Sequence, residues 1–197
     1  MGERDLLEVL IYFIYLLGGF LILLKSAESV IDHAALVAVK RDISHHTIGM
    51  TLVALVTSLP EFAISTSSSF LGEPDIAIAN VVGSNITNAI TLTVVALGTS
   101  LPELATALIA IRKEMGAIAV GTIIGSNVLN IAFVLGTASI VKPIVVAQSV
   151  IAYYLPLMIL SALLLLIIIK RGRIGRFEGS ILLLLYIAFL ALVGGGF

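Results

Sequence analysis

Two glutamates lie inside apolar sequence, each closing the same five residues: Thr57-Ser58-Leu59-Pro60-Glu61 and, forty-two positions later, Thr99-Ser100-Leu101-Pro102-Glu103. A charged carboxylate at the centre of a membrane helix costs about 2.5–3.5 kcal/mol on insertion scales, so an intramembrane acid reads first as functional. Thr57 and Ser58 precede Glu61 by four and three residues, a spacing that would put all three oxygens on one face of a continuous helix. Pro60 and Pro102 have no N–H, which frees the carbonyls of Val56 and Gly98 one turn earlier. Broken backbone survives at membrane depth only where protein or a watery cavity satisfies it. A bound cation would do so.

A second element accompanies each acid. Gly83-Ser84-Asn85-Ile86-Thr87-Asn88 follows the first motif, and Gly125-Ser126-Asn127-Val128-Leu129-Asn130 the second. Ser84 and Asn88, like Ser126 and Asn130, are i, i+4 on one face, and the preceding glycine allows close helix approach. The combined inventory is carboxylate, hydroxyl, amide and carbonyl oxygen, enough for the six to eight oxygens that Ca²⁺ takes. Two carboxylates neutralise one divalent ion, and without imidazole or thiolate the set disfavours transition metals. Duller readings exist for each piece. Ser58-x-x-Glu61 is also a capping box, the Gly-Ser-Asn segments could be helix-packing surfaces, and His45-His46 reads as a solvated loop pair rather than a metal site.

These motifs need a membrane scaffold, and the composition supplies one. Mean hydropathy is +1.18, 59% of residues are hydrophobic and 12% are charged, about half the usual share for a soluble domain. Apolar runs of bilayer-spanning length recur from Leu6 to the C-terminus. The expected class is an all-α polytopic membrane protein, multi-pass and placed in the cell membrane, with the lipid bilayer as its medium. A net charge of −1 argues against nucleic acid as a partner, and the lack of cysteine rules out disulfides and thiolate sites. The N-terminus lacks the basic head of a signal peptide, and Leu6 does not fit a myristoylation site. No nucleophile–base pair, phosphate loop or redox motif stands out, so neither an enzyme nor a cofactor is expected.

In chain order, Leu6–Lys40 reads either as one long tilted helix or as a membrane helix followed by an interfacial one. Lys25, Glu28 and Asp32 share a face and could pair along it. Ser44 is a candidate N-cap. Spans are expected over about 48–71, from 76, over 91–111, 117–141 and 145–169, and from 180.

The acid motifs belong to a longer repeat. Residues 49–90 and 91–132 align without a gap, with Thr51, Ala54 and Leu55 matching Thr93, Ala96 and Leu97. This divides the chain into an N-terminal half, 1–90, whose repeat covers about 44–90, and a C-terminal half, 91–197, whose repeat covers about 91–136. The junction near 88–91 is odd. Between Asp75 and Arg112 the only charge is Glu103, and two spans of ~20 residues plus a loop fit that stretch poorly. An odd number of extra crossings there would bring Lys40, Arg41, Arg112, Lys113, Lys170, Arg171, Arg173 and Arg176 to one side, eight of the eleven basic residues. The positive-inside rule expects such a bias, and the repeats would then be inverted, a common transporter plan. We therefore read a block of helices as missing at this seam. The literal alternative is a compact protein that assembles its site between subunits.

The doubled motif resembles the calcium/cation antiporter family, which includes sodium/calcium and proton/calcium exchangers. Residues 49–61 resemble its first α-repeat, and Thr93–Glu103, reading TVVALGTSLPE, resembles the second more closely. The Gly-Ser-Asn-x-x-Asn segments match the other half of each repeat, and 172–179 resembles the family's link to its last helix. The resemblance implies an inverted-repeat fold of ten helices, of which about seven are represented here, with helices four to six lacking. It implies transport of Ca²⁺ in exchange for H⁺ or Na⁺. Glu61 and Glu103 would be the central Ca²⁺ ligands. Thr57 and Thr99 would help through backbone carbonyls, Ser58 and Ser100 would serve counter-ion sites, and Ser84, Asn88, Ser126 and Asn130 would complete the ring. Some members carry an acid where Asn130 stands, which counts against a sodium site there.

Overall fold

The computed structural model describes residues 3–91, 100–171 and 176–194. Thr99 and Gly98, the start of the span expected over 91–111, and residues 172–175 of the basic stretch lie outside the described residues. The described chain is helical throughout: α1 Glu3–Arg41, α2 His45–Thr57, α3 Leu59–Leu71, α4 Pro74–Thr91, α5 Leu101–Arg112, α6 Gly116–Val141, α7 Val150–Lys170 and α8 Arg176–Gly194. Three of these, α1, α6 and α7, are long and apolar enough to cross a membrane alone, and α2 with α3 forms a fourth span bent by 44°. With α4, α5 and α8 there are seven helical runs among the described residues, in a multi-pass membrane protein.

The first helix is continuous over 39 residues, so the long-helix reading holds. Its N-terminal half presents Leu10, Tyr12, Phe13, Ile14 and Tyr15 outward, as lipid-facing surface should. Its C-terminal half buries Ile31, Ala34 and Ala38 against Ile48, Ala107 and Ile118. The expected Lys25–Glu28 pair forms at 3.7 Å, but Glu28 and Asp32 chiefly face a different partner. Lys113, in the turn after α5, donates to Asp32 Oδ1 and lies 3.6 Å from Glu28. That hydrogen bond, helped by the two carboxylate charges, holds the Lys113 ammonium above the usual lysine range.

Ser44 caps α2 by accepting the Thr47 N–H at 3.0 Å. The two histidines are therefore the first helical turn rather than loop. Lys142 ends α6 in extended backbone, and helix resumes only at 148 instead of 145.

Directions along the bundle follow from contacts. A Cβ added at Gly121 would overlap the His46 carbonyl, and one at Gly125 the Met50 carbonyl. So α2 and α6 run side by side in the same direction with backbones touching. The turn at 113–115 makes α5 antiparallel to α6. Asn85 and Asn88 of α4 meet Asn127 and Ser126 of α6, which places α4 antiparallel to α6 as well. Hence α4 and α5, neighbours in sequence, point to the same end. The repeat-equivalent helices α3 and α5 point to opposite ends, and so do α4 and α6. The repeats are inverted. Ile169 and Met115 pack on one cluster with Ile31, so Lys40, Arg41, Arg112, Lys113, Lys170 and Arg171 share one end. Lys142 lies at the other, where it donates to the Gly72 carbonyl at 3.2 Å.

Candidate cation site

Each acid sits where its helix restarts. The α2 helix stops at Thr57, Ser58 turns with φ −83° and ψ 1°, and α3 begins with Pro60 and Glu61 in its first turn. Ser100 makes the same turn (φ −92°, ψ 33°) before α5, with Pro102 and Glu103. Proline is suited to a first turn, where its missing N–H loses nothing. The proline break falls at Ser58, so Thr57, Ser58 and Glu61 do not share one helical face. Thr57 ends one helix, its hydroxyl donating to the Ala54 carbonyl at 3.2 Å, while Glu61 opens the next. The capping-box reading also fails, because neither Ser58 nor Ser100 caps with its side chain.

The break frees Ser58 for a longer reach. Its hydroxyl donates to Glu103 Oε1 at 3.5 Å, from one repeat to the acid of the other. Ser84 donates to Glu61 Oε1 at 3.3 Å. Asn88 Nδ2 donates to Ser126 Oγ and to Asn127 Oδ1, both at 3.0 Å, and Asn130 Nδ2 donates to Asn85 Oδ1 at 3.2 Å. Asn88 to Asn127 and Asn130 to Asn85 are one contact made twice with the repeats exchanged. Reciprocal pairing of that kind is the mark of a two-fold axis. Asn130 also begins a π-helical turn, Asn130–Leu135, inside α6; such turns re-aim side chains and recur at functional sites.

Of the ten residues expected at the site, nine lie among the described residues, and the structure draws their two repeats together within a single chain. Thr99 is the exception. Glu61, Glu103, Ser84, Ser126, Asn88 and Asn130 are at most 1% exposed, and Thr57, Ser58 and Ser100 at most 3%. The site is buried, and each acid keeps an oxygen with no hydrogen-bond partner among the described residues. Seven buried side-chain oxygens have no hydrogen-bond partner among the described residues, and five belong to the expected set: Glu61 Oε2, Glu103 Oε2, Asn88 Oδ1, Asn130 Oδ1 and Ser100 Oγ. Interhelical hydrogen bonds in a membrane average about 0.6 kcal/mol each and reach about 1.7. At that average, the bond from Ser84 to Glu61 and those from Ser58 and Thr57 to Glu103 fall short of the insertion cost of a charged carboxylate. Helix packing alone therefore does not account for Glu61 and Glu103; a cation or a proton at each would. No cluster of three or more His, Cys, Asp or Glu side chains occurs among the described residues, so any ion here meets mainly neutral oxygen.

The sequence reading left some contributors out of the site. Asn85 and Asn127 were recognised as amides but not as the bridge between repeats, since they lie off the Ser-Asn face. Asn80 carried no motif, yet its amide donates to the Glu61 carbonyl at 3.2 Å and to Ser65 Oγ at 3.0 Å. A polar residue one turn before the Gly-Ser-Asn segment was the available signal.

The family model for the sodium/calcium exchanger protein matches residues 11–92 and again 89–195. The chain belongs to the sodium/calcium exchanger family. Among its relatives, the sodium/calcium exchanger MaX1 of Methanosarcina acetivorans is 40% identical over 147 residues, covering 74% of this chain and 30% of that protein. The inner membrane protein YrbG of Escherichia coli is 34% identical over 178 residues, covering 90% of this chain and 42% of that one. The chain thus spans less than half the length of the curated relatives it matches. The solved structure of the sodium-calcium exchanger NCX_Mj, soaked with Na⁺ and Sr²⁺, superposes with a TM-score of 0.77 at 20% identity over 87% of this chain and 95% of that one. That likeness fixes the fold of this exchanger-family chain as the inverted-repeat antiporter type.

Proposed function

We propose that the chain is the core of a secondary active transporter of the cell membrane that exchanges Ca²⁺ for H⁺ or Na⁺ by alternating access. The observation that carries this reading is the group of five unpartnered buried oxygens, drawn from both repeats and including both carboxylates. Glu61 and Glu103 would bind and neutralise Ca²⁺, with Ser58 and Ser84 orienting them. Ser100, Asn88, Ser126 and Asn130 would add neutral oxygen, joined by Thr57 and, from its repeat position, Thr99. Two protons on the two acids would balance one Ca²⁺, which favours a proton counter-ion. Sodium could use the same oxygens with Ser58 and Ser100.

The repeats would form an inverted pair closed by helices that this chain lacks near 88–91. The shared direction of α4 and α5 supports that seam, since a further odd number of crossings is needed to join them in a bilayer. Inverted repeats that rock about a midplane site are a common means of alternating access.

Reconstituted vesicles test the proposal. An outward-directed counter-ion gradient, of Na⁺ or of H⁺, should drive Ca²⁺ uphill, and Glu61→Gln or Glu103→Gln should each abolish that accumulation. Flux that no gradient can drive uphill would make the chain a cation channel. No flux, unchanged in both variants, would leave it a membrane scaffold.

A further inference from the structure

Along the rest of α3 and α5, just past the two acids, the repeats diverge. Helix α3 continues from Glu61 as Ser65-Thr66-Ser67-Ser68-Ser69, where α5 continues from Glu103 as Ala107-Leu108-Ile109-Ala110-Ile111. Ser65 and Ser69 are one helical turn apart and so share a face, and they are 0% and 1% exposed. Asn80 ties this face to the acid by donating both to Ser65 Oγ and to the Glu61 carbonyl. Its counterpart in the second repeat is Thr122, which donates within its own helix to the Ile118 carbonyl at 2.9 Å.

The two unpartnered buried oxygens that the Glu61–Glu103 site does not use are Ser69 Oγ and Thr66 Oγ1. Serine and threonine in a helix can satisfy themselves on a carbonyl of the preceding turn, as Ser68 does with Ser65 and Thr106 with Pro102. Glue between helices has no need of free hydroxyls. Free, buried hydroxyls continuing from Glu61 toward the Gly72 end suit an ion or its waters.

We propose that Ser65, Ser69 and Asn80 form a one-sided polar path by which a partly hydrated cation reaches Glu61 from the Gly72 end, with no equivalent beside Glu103. The path is shut in this conformation, since Asn80, the most open of the three, is 8% exposed. It deepens the cation-site reading and rests on Glu61 being a ligand.

The chain contains no cysteine, so single Ser65→Cys and Ser69→Cys variants can be labelled directly in vesicles. Glu73→Cys and Lys40→Cys mark the two membrane sides. A membrane-impermeant cationic thiol reagent should modify positions 65 and 69 only from the Glu73 side. Its rate there should exceed by about tenfold that of an anionic reagent, as a path selecting cations demands. Ala107→Cys and Ala110→Cys, buried on α5, should stay unmodified from either side, and Ca²⁺ should slow labelling at 65. Cysteines at 65 and 69 as inert as those at 107 and 110 would reduce the serines to packing, and labelling from the Lys40 side would overturn the one-sidedness. Labelling without Ca²⁺ protection would uphold the path and count against Glu61 as a ligand. Should either variant fail to elute as a single species, Asn80→Cys, the most open position of the path, takes its place.

Discussion

The half of the molecule around Glu61 and the half around Glu103 share a motif to the letter, and they use it differently. Both acids open a helix just after a broken turn, and both are backed by a Gly-Ser-Asn helix. Yet Glu61 is held by Ser84 from its own repeat, while Glu103 is reached by Ser58 from the other. Beyond the acids one half is hydroxyl-rich and the other aliphatic. On the proposed reading, the symmetric part of the chain is what touches an ion. The asymmetric part would govern packing and the proposed approach of the ion, where two opposite membrane faces need not be served alike.

The glycines offer the sharpest way to break this comparison. Gly125 has no room for a side chain: an added Cβ would overlap the Met50 carbonyl and lie 2.7 Å from the Ala54 Cβ. Its repeat partner Gly83 meets only Phe189 Cζ, at 3.9 Å. Gly125→Val should therefore separate α2 from α6 and destabilise the fold by about 3 kcal/mol or more, beyond ordinary overpacking. Gly83→Ala should be neutral within roughly 0.5 kcal/mol. Thermal unfolding in detergent reads both, and equal losses would show that the two halves pack alike.

A smaller effect tests what the halves have in common. If the amide bridges are related by a two-fold axis, a double-mutant cycle on Asn88 and Asn127 and another on Asn85 and Asn130 should give similar couplings. Each should be about 0.6 kcal/mol, the average for interhelical hydrogen bonds in a membrane. Coupling in one pair alone would confine the symmetry to the backbone.

Much of this was legible in the sequence because intramembrane polarity is rare enough to stand out. The doubled Thr-Ser-Leu-Pro-Glu, the Gly-Ser-Asn partners and the basic loops led to an all-helical, inverted-repeat membrane protein. Two things were not legible. The proline signalled a break in the helix, but a proline permits either a kink or a fresh start, and only packing decides that Thr57 closes one helix while Glu61 opens the next. The Lys113 contacts with Asp32 and Glu28 join residues 81 and 85 positions apart, beyond the reach of helical spacing rules. Asn80 escaped for a related reason, since its role depends on the crossing of α3 and α4 rather than on a motif.

The central claim is that Glu61 and Glu103 belong to one site made by two repeats. Equilibrium dialysis of the purified chain against radioactive Ca²⁺ tests it without requiring transport. The account predicts one Ca²⁺ bound per chain, with Glu61→Gln and Glu103→Gln each weakening binding by about 100-fold or more, as expected when one of two buried charged partners is removed. Two ions per chain, each lost with its own glutamate, or binding unchanged by either substitution, would contradict it.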